Sequence, residues 1–247
     1  MILPVDPAEL MALSERVVLV TGATGVLGGV VVEQFAAAGA RLGLIGTSLE
    51  RLHHVAGQVG LGEDRWLPAV ADLRQAGEAQ AAVAAIAGHF GRLDILLHLV
   101  GGWVGGTAVA DLDPAELSGM LDQHLWTTLN IAQAVLPLML DGGWGRIVAI
   151  GSRSALEPGP KVASYAVAKA AEDTLLRTLA REVAGTGLTV NLVTVGTIDE
   201  EHQRDSAGTP RNATWTEPEE IAAALVYLCS DAAGAINGAR LPLDRRG

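Results

Sequence analysis

Tyr165 and Lys169 are the two side chains in this sequence best suited to moving a proton. They stand four residues apart in a helical pattern, so both side chains are expected on one face of a helix. A phenol with a pKa of about 10 is a poor proton carrier at neutral pH, but a nearby ammonium favours the phenolate and lowers that pKa. Ser152, thirteen residues before Tyr165, carries a hydroxyl that could hydrogen-bond a substrate oxygen. Such a pair also occurs on exposed helices without any chemical role, so its surroundings must support the interpretation.

A glycine-rich loop near the start of the chain provides that support. Gly22, Gly25 and Gly28, with Thr24 and Leu27 between them, follow an apolar run and open a helical pattern. In this context backbone amides can approach a pyrophosphate closely. The alternative interpretation is a turn needed only for close packing between a strand and a helix.

The elements that must position these residues alternate along the chain. Predicted strands cover residues 16–21, 41–46, 66–71, 94–100, 146–151, 188–194 and 240–243. Predicted helices cover residues 26–38, 49–59, 75–90, 114–140, 162–184 and 218–230. Alternation of this kind is typical of βαβ units around a parallel sheet. We therefore predict an α/β fold with one domain over residues 15–247, a Rossmann-type doubly wound parallel sheet of about seven strands with helices on both faces.

Composition limits the classes of partner. The formal net charge of −11 disfavours binding to nucleic acid or to an anionic membrane surface. The single cysteine, Cys229, cannot form an intramolecular disulfide, which suits a cytoplasmic location. Residues 1–14 read as a short N-terminal extension with one helical turn over residues 8–11, and not as a signal peptide.

The glycine loop, Ser152, Tyr165 and Lys169, in this order, resemble the short-chain dehydrogenase/reductase family over residues 14–244. The resemblance implies hydride transfer between a nicotinamide cofactor and a carbonyl or alcohol, with Tyr165 as acid or base. It also implies that Lys169 holds the nicotinamide ribose. Further cofactor contacts implied by the resemblance are those of Asp72, Leu73, Val100, Gly101 and the backbone of Ile198.

The residues after the second strand bear on the choice of nucleotide. An acidic residue there would bind the ribose diol of NAD, and a nearby base would hold the phosphate of NADP. This chain has Thr47 and Ser48 instead, with Arg51 as a possible helper. We expect NADP(H) to be preferred over NAD(H). Asp72, which the resemblance assigns to the adenine, could alternatively cap the next helix.

Several residues depart from the family pattern. Val26 replaces the middle glycine of the classical loop, and the Gly22, Gly25 and Gly28 spacing matches the family's extended branch instead. His124 stands where the family has its active-site asparagine. An imidazole titrates near neutrality and could replace that asparagine as a fourth catalytic residue, whereas the plainer alternative is a partly buried histidine bonded to backbone.

Tryptophans near the predicted site suggest the shape of the substrate. Trp103 lies in a glycine-rich segment that resembles the dihydropteridine reductase branch, and Trp215 adds to that likeness. The two rings could form apolar walls around a flat substrate, or they could pack in a core or subunit interface. The polar segment 199–214 is predicted to be a mobile lid over the substrate.

Three functions remain open on the sequence. The first is a carbonyl reductase or alcohol dehydrogenase acting on a small molecule, with a cyclic or aromatic substrate as one option. The second is a dihydropteridine-like reductase, and the third is a nucleotide-binding protein that kept the fold and lost the reaction. The resemblance also implies a homo-oligomer, a dimer or tetramer, formed through the long helices 114–140 and 162–184. No metal ligand set is expected.

Overall fold

The computed structural model describes residues 13–206 and 212–243. The predicted helical turn at residues 8–11, most of the N-terminal extension 1–14 and residues 207–211 of the predicted lid lie outside these ranges.

Seven parallel strands form one sheet in the order β3-β2-β1-β4-β5-β6-β7. The strands are β1 (Val17–Thr21), β2 (Arg41–Gly46), β3 (Trp66–Val70), β4 (Ile95–His98), β5 (Gly145–Ser152), β6 (Leu188–Val195) and β7 (Arg240–Pro242). The predicted Rossmann-type doubly wound sheet is confirmed. The predicted fourth strand, 94–100, was too long, because the chain leaves the sheet after His98.

The apolar strand sequences follow from burial on both faces of the sheet. All five residues of β1 are buried, and alternate side chains enter different cores. Val18 and Val20 join the cluster on one face, whereas Val17 and Leu19 join the cluster on the other. A parallel sheet covered by helices on both sides requires this continuous hydrophobic run.

The helices that cover the sheet are α1 (Val26–Ala37), α2 (Leu49–Val59), α3 (Ala76–Phe90), α4 (Pro114–Leu121), α5 (Thr127–Gly142), α6 (Ala163–Glu182), α7 (Gln203–Ser206) and α8 (Pro218–Cys229). The helix predicted over 114–140 runs without a break through α4, a π-helical turn and α5, and it ends at Gly142. The π-helical turn, Asp122–Trp126, lies between α4 and α5. Wide turns of this kind interrupt helices mainly at functional sites, and this one carries His124.

The sheet order places a topological switch between β1 and β4, where successive crossovers run in opposite directions. In such sheets a crevice opens beyond the carboxyl ends of these strands, and ligands bind there. Within the two described ranges, no helix combines the length and apolar character needed to cross a membrane. Among the same residues, no group of three or more His, Cys, Asp or Glu side chains is placed so that it could hold a metal ion.

Candidate active site

A cavity of about 720 Å³ opens at the switch point. Its walls come from the residues that follow β1, β4 and β6 and from the end of β5. Each of the four strand ends contributes at least one lining residue: Gly22, Val100, Gly151 and Gly196. Separate parts of the chain bring Tyr165 and the other side chains capable of acid–base chemistry or hydrogen bonding to this edge.

The glycine loop forms one wall of the cavity and is tightly constrained. Gly22 has a φ of +70°, and a Cβ added there would lie 2.8 Å from the carbonyl carbon of Leu99. A Cβ on Gly28 would lie only 2.3 Å from the carbonyl oxygen of Gly22. Val26 is the first residue of α1 and needs no positive φ, so the loop accepts a β-branched residue there.

The loop leaves the start of α1 open toward the cavity. Gly25 is the N-cap, no side chain caps the helix, and the first turn contains no acidic residue. The amide groups of that turn and the helix dipole therefore favour an anion. The Cβ atoms excluded at Gly22 and Gly28 would meet the protein's own backbone, as the packing alternative predicts, and the uncapped amides at the start of α1 additionally fit an anionic group such as a pyrophosphate.

A second cavity of about 390 Å³ shares Gly22 and Val100 with the first. Thr47, Asp72 and Leu73 line it, as expected for the adenosine half of a dinucleotide. The alternative in which Asp72 caps a helix was wrong, because α3 begins later, with Gln75 as its N-cap.

The Asp72 carboxylate is engaged by a neighbouring guanidinium. Both of its oxygens accept hydrogen bonds from the Arg74 side chain, and Oδ1 also accepts from the Arg74 amide. These side-chain hydrogen bonds are the main reason why the pKa of Asp72 is lowered. Asp72 thus stabilises the turn that forms the floor of this second cavity.

Of the predicted nucleotide selector, Ser48 and Arg51 line a third cavity, of about 530 Å³, whereas Thr47 lines the second. Arg51 reaches across it and donates from its guanidinium to the carbonyl of Thr24, at 2.8 Å. Ser48 is the N-cap of α2, and its hydroxyl oxygen accepts from the Arg51 amide. Thr24, Ser48 and Arg51 all line the cavity, together with the acidic Glu50.

Tyr165 and Lys169 both line the main cavity from the first turns of α6. The Lys169 ammonium donates to the carbonyl of Ile150 at 2.8 Å. It also donates to Glu172 Oε2 at 2.7 Å, forming a buried ion pair. Thr128 donates to the other oxygen of Glu172 at 3.2 Å. Burial raises the pKa of Glu172, and the Lys169 charge opposes that rise.

Ser152 ends β5 and is buried. Its hydroxyl oxygen accepts a hydrogen bond from the Ser154 amide at 3.1 Å. Ser154, not Ser152, is among the residues that line the cavity. The sequence reasoning missed Ser154, although a second serine two positions after Ser152 was a usable signal.

His124 lies in the π-helical turn and also lines the cavity. Its Nε2 is 3.0 Å from the carbonyl oxygen of Gly102, so this nitrogen carries the proton and donates. The ring meets that of Tyr165 edge-on, with 5.6 Å between centroids.

The expectation that His124 titrates near neutrality was wrong. Burial, followed by the charge of Lys169, lowers the pKa of His124 to about 3. The neutral ring therefore acts as a fixed donor to backbone. Its Nδ1 is buried without a hydrogen-bond partner and lies 3.9 Å from Glu172 Oε2.

His98, at the end of β4, links two strands to a helix through its ring nitrogens. Its Nδ1 is 2.8 Å from the hydroxyl of Thr21 at the end of β1. Its Nε2 is 3.5 Å from the hydroxyl of Thr127 in α5. Burial lowers the pKa of His98 to about 3, so this link between strands and helix is uncharged.

The two tryptophans have different positions. Trp103 lines the cavity and is 63% exposed, whereas Trp215 is not among the lining residues. Of the two predicted apolar walls, the structure brings only Trp103 to the site. Ile198 and Glu200 line the cavity on the side where β6 ends.

The described part of the predicted lid is tied to its surroundings. The buried Asp199 carboxylate accepts from the amides of Gln203 and Arg204 at the start of α7. The Arg204 guanidinium pairs with Glu217 and Glu220 at the start of α8. The segment beside the cavity is therefore held by ion pairs.

Fold and site together define a nucleotide-binding oxidoreductase, and comparisons with known proteins identify its family. Residues 16–210 match the family model described as short chain dehydrogenase. The chain belongs to the short-chain dehydrogenase/reductase family, whose members bind NAD(H) or NADP(H).

Individual relatives cover nearly the whole chain. D-threitol dehydrogenase of Mycolicibacterium smegmatis is 32% identical and covers 94% of this chain and 92% of its own. A 1,6-dihydroxycyclohexa-2,4-diene-1-carboxylate dehydrogenase of Pseudomonas putida is also 32% identical, covering 92% of this chain and 91% of its own. The crystal structure of a mutant short-chain dehydrogenase/reductase of Serratia marcescens superposes with a TM-score of 0.83 at 32% identity, over 94% of this chain and 97% of the other.

Proposed function

We propose that this protein is an NAD(P)(H)-dependent oxidoreductase that reduces a carbonyl, or oxidises an alcohol, on a small substrate. The observation that carries the proposal is that Tyr165 and Lys169 line one cavity with the open, glycine-bounded start of α1. A proton-transfer pair and a site suited to a dinucleotide pyrophosphate thus share one crevice.

The residues divide the work as follows. The Tyr165 hydroxyl donates its proton to the substrate oxygen during reduction, and the phenolate accepts the alcohol proton during oxidation. The Lys169 ammonium, fixed by Ile150 and Glu172, favours the phenolate by its charge. The nicotinamide cofactor, when bound, supplies or accepts the hydride.

The hydroxyls beside Tyr165 would orient the substrate. Ser154 lines the cavity. The oxygen of Ser152 accepts a hydrogen bond from the Ser154 amide, and its O–H is left to donate to another group. We propose that both hydroxyls bind the reacting oxygen, and that the backbone of Ile198 meets the nicotinamide carboxamide.

The substrate class rests on the relatives and on Trp103. Two relatives are named for hydroxylated substrates, an open-chain polyol and a cyclic diol carboxylate. The exposed Trp103 ring offers a flat apolar surface in the same cavity as Tyr165. We propose a small polyol or cyclic alcohol, or the corresponding ketone.

A substrate panel tests this function. Polyols, cyclic diols and their ketones are assayed with each nucleotide by following absorbance of the reduced nicotinamide. Turnover of at least one hydroxylated substrate is the expected result. Nucleotide binding without any turnover would instead support a protein that kept the fold and lost the reaction.

The same Trp103 surface also suits a pterin ring, so quinonoid dihydropterin belongs in the panel. Its reduction at a higher kcat/KM than any carbonyl in the panel would establish a dihydropteridine-like reductase. A rate no higher than the blank would remove that alternative.

We further propose a preference for NADP(H), based on the cavity formed by Thr24, Ser48 and Arg51 beside the predicted adenosine site. A ribose phosphate there would meet a guanidinium and a hydroxyl. Arg51→Ala is expected to weaken NADPH binding by about 1.5–3 kcal/mol, the range for a hydrogen bond to a charged group, with little change for NADH.

Calorimetric titration of both nucleotides measures that difference. Glu50→Gln is the matched variant, because it removes a carboxylate from the same cavity and should strengthen NADPH binding. Equal losses of NADPH and NADH affinity in Arg51→Ala would contradict the assigned preference.

A further inference from the structure

Among the residues that the structure describes, Glu172 is the one buried acid that hydrogen-bonds to the catalytic pair, and the proposed reaction gives it no role. It is 1% exposed, and Lys169 is 5% exposed. Their charged atoms are 2.7 Å apart. An ammonium in such a place loses most of its hydration, and without a counter-charge its pKa would fall by several units.

Besides the carbonyl of Ile150, which accepts a hydrogen bond from the ammonium, the described groups around this ion pair supply no charge that balances the ammonium. On α6, Asp173 is engaged by Arg240 from β7. From the π-helical turn, His124 is neutral and turns its Nδ1 toward Glu172.

The two remaining neighbours are also uncharged. From α5, Thr128 contributes only a hydroxyl. His98 on β4 feels the Lys169 charge, which further lowers its pKa. Glu172 is the only carboxylate within hydrogen-bonding distance of Lys169 among the residues described in the structure.

We propose that Glu172 is a positioning residue that keeps Lys169 protonated and thereby keeps the phenolate of Tyr165 accessible. Glu172 touches neither substrate nor cofactor and acts through the Lys169 ammonium. Its significance for turnover rests on the proposed function, in which Tyr165 carries the proton. Its effect on the ionisation of Tyr165 can be measured separately.

The chain has only two tyrosines, Tyr165 and Tyr227, which makes a direct measurement practical. In a Tyr227→Phe background, the near-ultraviolet absorbance of the phenolate reports the titration of Tyr165 alone. Tyr227 lies on α8, outside the catalytic cavity.

Glu172→Gln, made in this background, is the test variant. Loss of the carboxylate should neutralise Lys169, and the midpoint of the Tyr165 titration should then rise by about one pH unit or more. Glu182→Gln is the matched control, since it removes an exposed carboxylate from the end of the same helix and should not move the midpoint. The conservative variant Glu172→Asp keeps a carboxylate, so its Tyr165 midpoint should lie close to that of the parent protein. A midpoint that is unchanged or lower in Glu172→Gln overturns the proposal.

The stability of Glu172→Gln provides a second readout. If Lys169 has a lowered pKa in the folded variant, the unfolded chain binds the extra proton, so stability increases as pH rises toward alkaline values. In chemical denaturation, the free energy of unfolding of Glu172→Gln should therefore increase more steeply with pH than that of Glu182→Gln. Equal slopes, or a variant that stays unfolded at alkaline pH, also overturn the proposal.

These outcomes separate the two proposals. Retained turnover in Tyr165→Phe would contradict the proposed function without affecting the titration result. An unmoved Tyr165 midpoint would remove the role of Glu172 while leaving Tyr165 as the acid or base.

Discussion

Two buried imidazoles distinguish this site at the scale of single residues. His98 and His124 both have a pKa lowered to about 3, chiefly by burial. They remain neutral beside the charged Lys169 and serve as fixed hydrogen-bonding groups. A histidine in a sequence suggests a proton carrier, but only the structure shows that these rings are too deeply buried for that role.

His98 gives a prediction about acid stability. Its pKa is about 3 in the folded protein against an ordinary value of 6.5, so the unfolded chain takes up a proton that the folded protein does not. Stability is therefore lost as pH falls below about 6.5, by about 1.4 kcal/mol per pH unit for one proton. His98→Asn should reduce that slope by this amount in urea denaturation between neutral pH and pH about 5.

The control for this measurement is His89→Asn, which changes an exposed ring on α3 and should leave the slope as it is. A His98→Asn slope equal to that of the parent protein would show that His98 takes up its proton in the folded state.

At the scale of elements, the strands and most helices could be predicted from the alternation of apolar patterns. This alternation arises because the sheet is buried on both faces and its strands are therefore apolar throughout. The π-helical turn at Asp122–Trp126 could not be predicted, since its residues continue the helical pattern of their neighbours. The buried contact between Lys169 and Glu172 could not be predicted from the sequence either. A spacing of three residues on a helix predicts a neighbouring pair, but not that the pair is buried.

The glycine loop allows an element-scale prediction with a matched pair of variants. Gly28→Ala places a Cβ 2.3 Å from a backbone oxygen that cannot move freely. We expect a loss of about 1–3 kcal/mol in the free energy of unfolding, together with weaker nucleotide binding.

Gly25→Ala is the comparison, because its Cβ would lie 3.5 Å from the nearest atom at an ordinary φ of −82°. Because Gly25 is the N-cap of α1, where alanine is less favourable than glycine, this variant should lose no more than about 1 kcal/mol in the free energy of unfolding. Equal destabilisation by the two alanines would contradict the packing described for this loop.

At the scale of the molecule, we propose that exposed apolar side chains contribute to a surface for association. Trp126 is 47% exposed, and Val167 on α6 is 48% exposed, close in sequence to the catalytic residues. Leu138 and Leu140 add exposed apolar surface on α5. Large apolar side chains facing solvent are typical of protein interfaces, and on this ground we propose that the chain forms the homo-oligomer expected from the sequence.

Trp126→Glu should weaken such an assembly by about 2 kcal/mol or more, since a large aromatic side chain is a common hot spot. Sedimentation or light scattering over a concentration series measures the change. Val109→Glu is the control, because Val109 is exposed and lies outside these helices. A monomeric parent protein, or equal effects of both variants, would contradict the assigned surface.

The central claim is that Tyr165 moves the proton that accompanies hydride transfer, and one substitution tests it most directly. Tyr165→Phe keeps the ring that packs edge-on against His124 and removes only the hydroxyl. Turnover is measured with a substrate found in the panel, and nucleotide affinity is measured by calorimetry on the same preparation. We predict a loss of about 10²–10⁴-fold in kcat with nucleotide affinity preserved. Turnover that remains within about threefold of the parent protein would contradict the assignment, because an acid or base in use contributes far more.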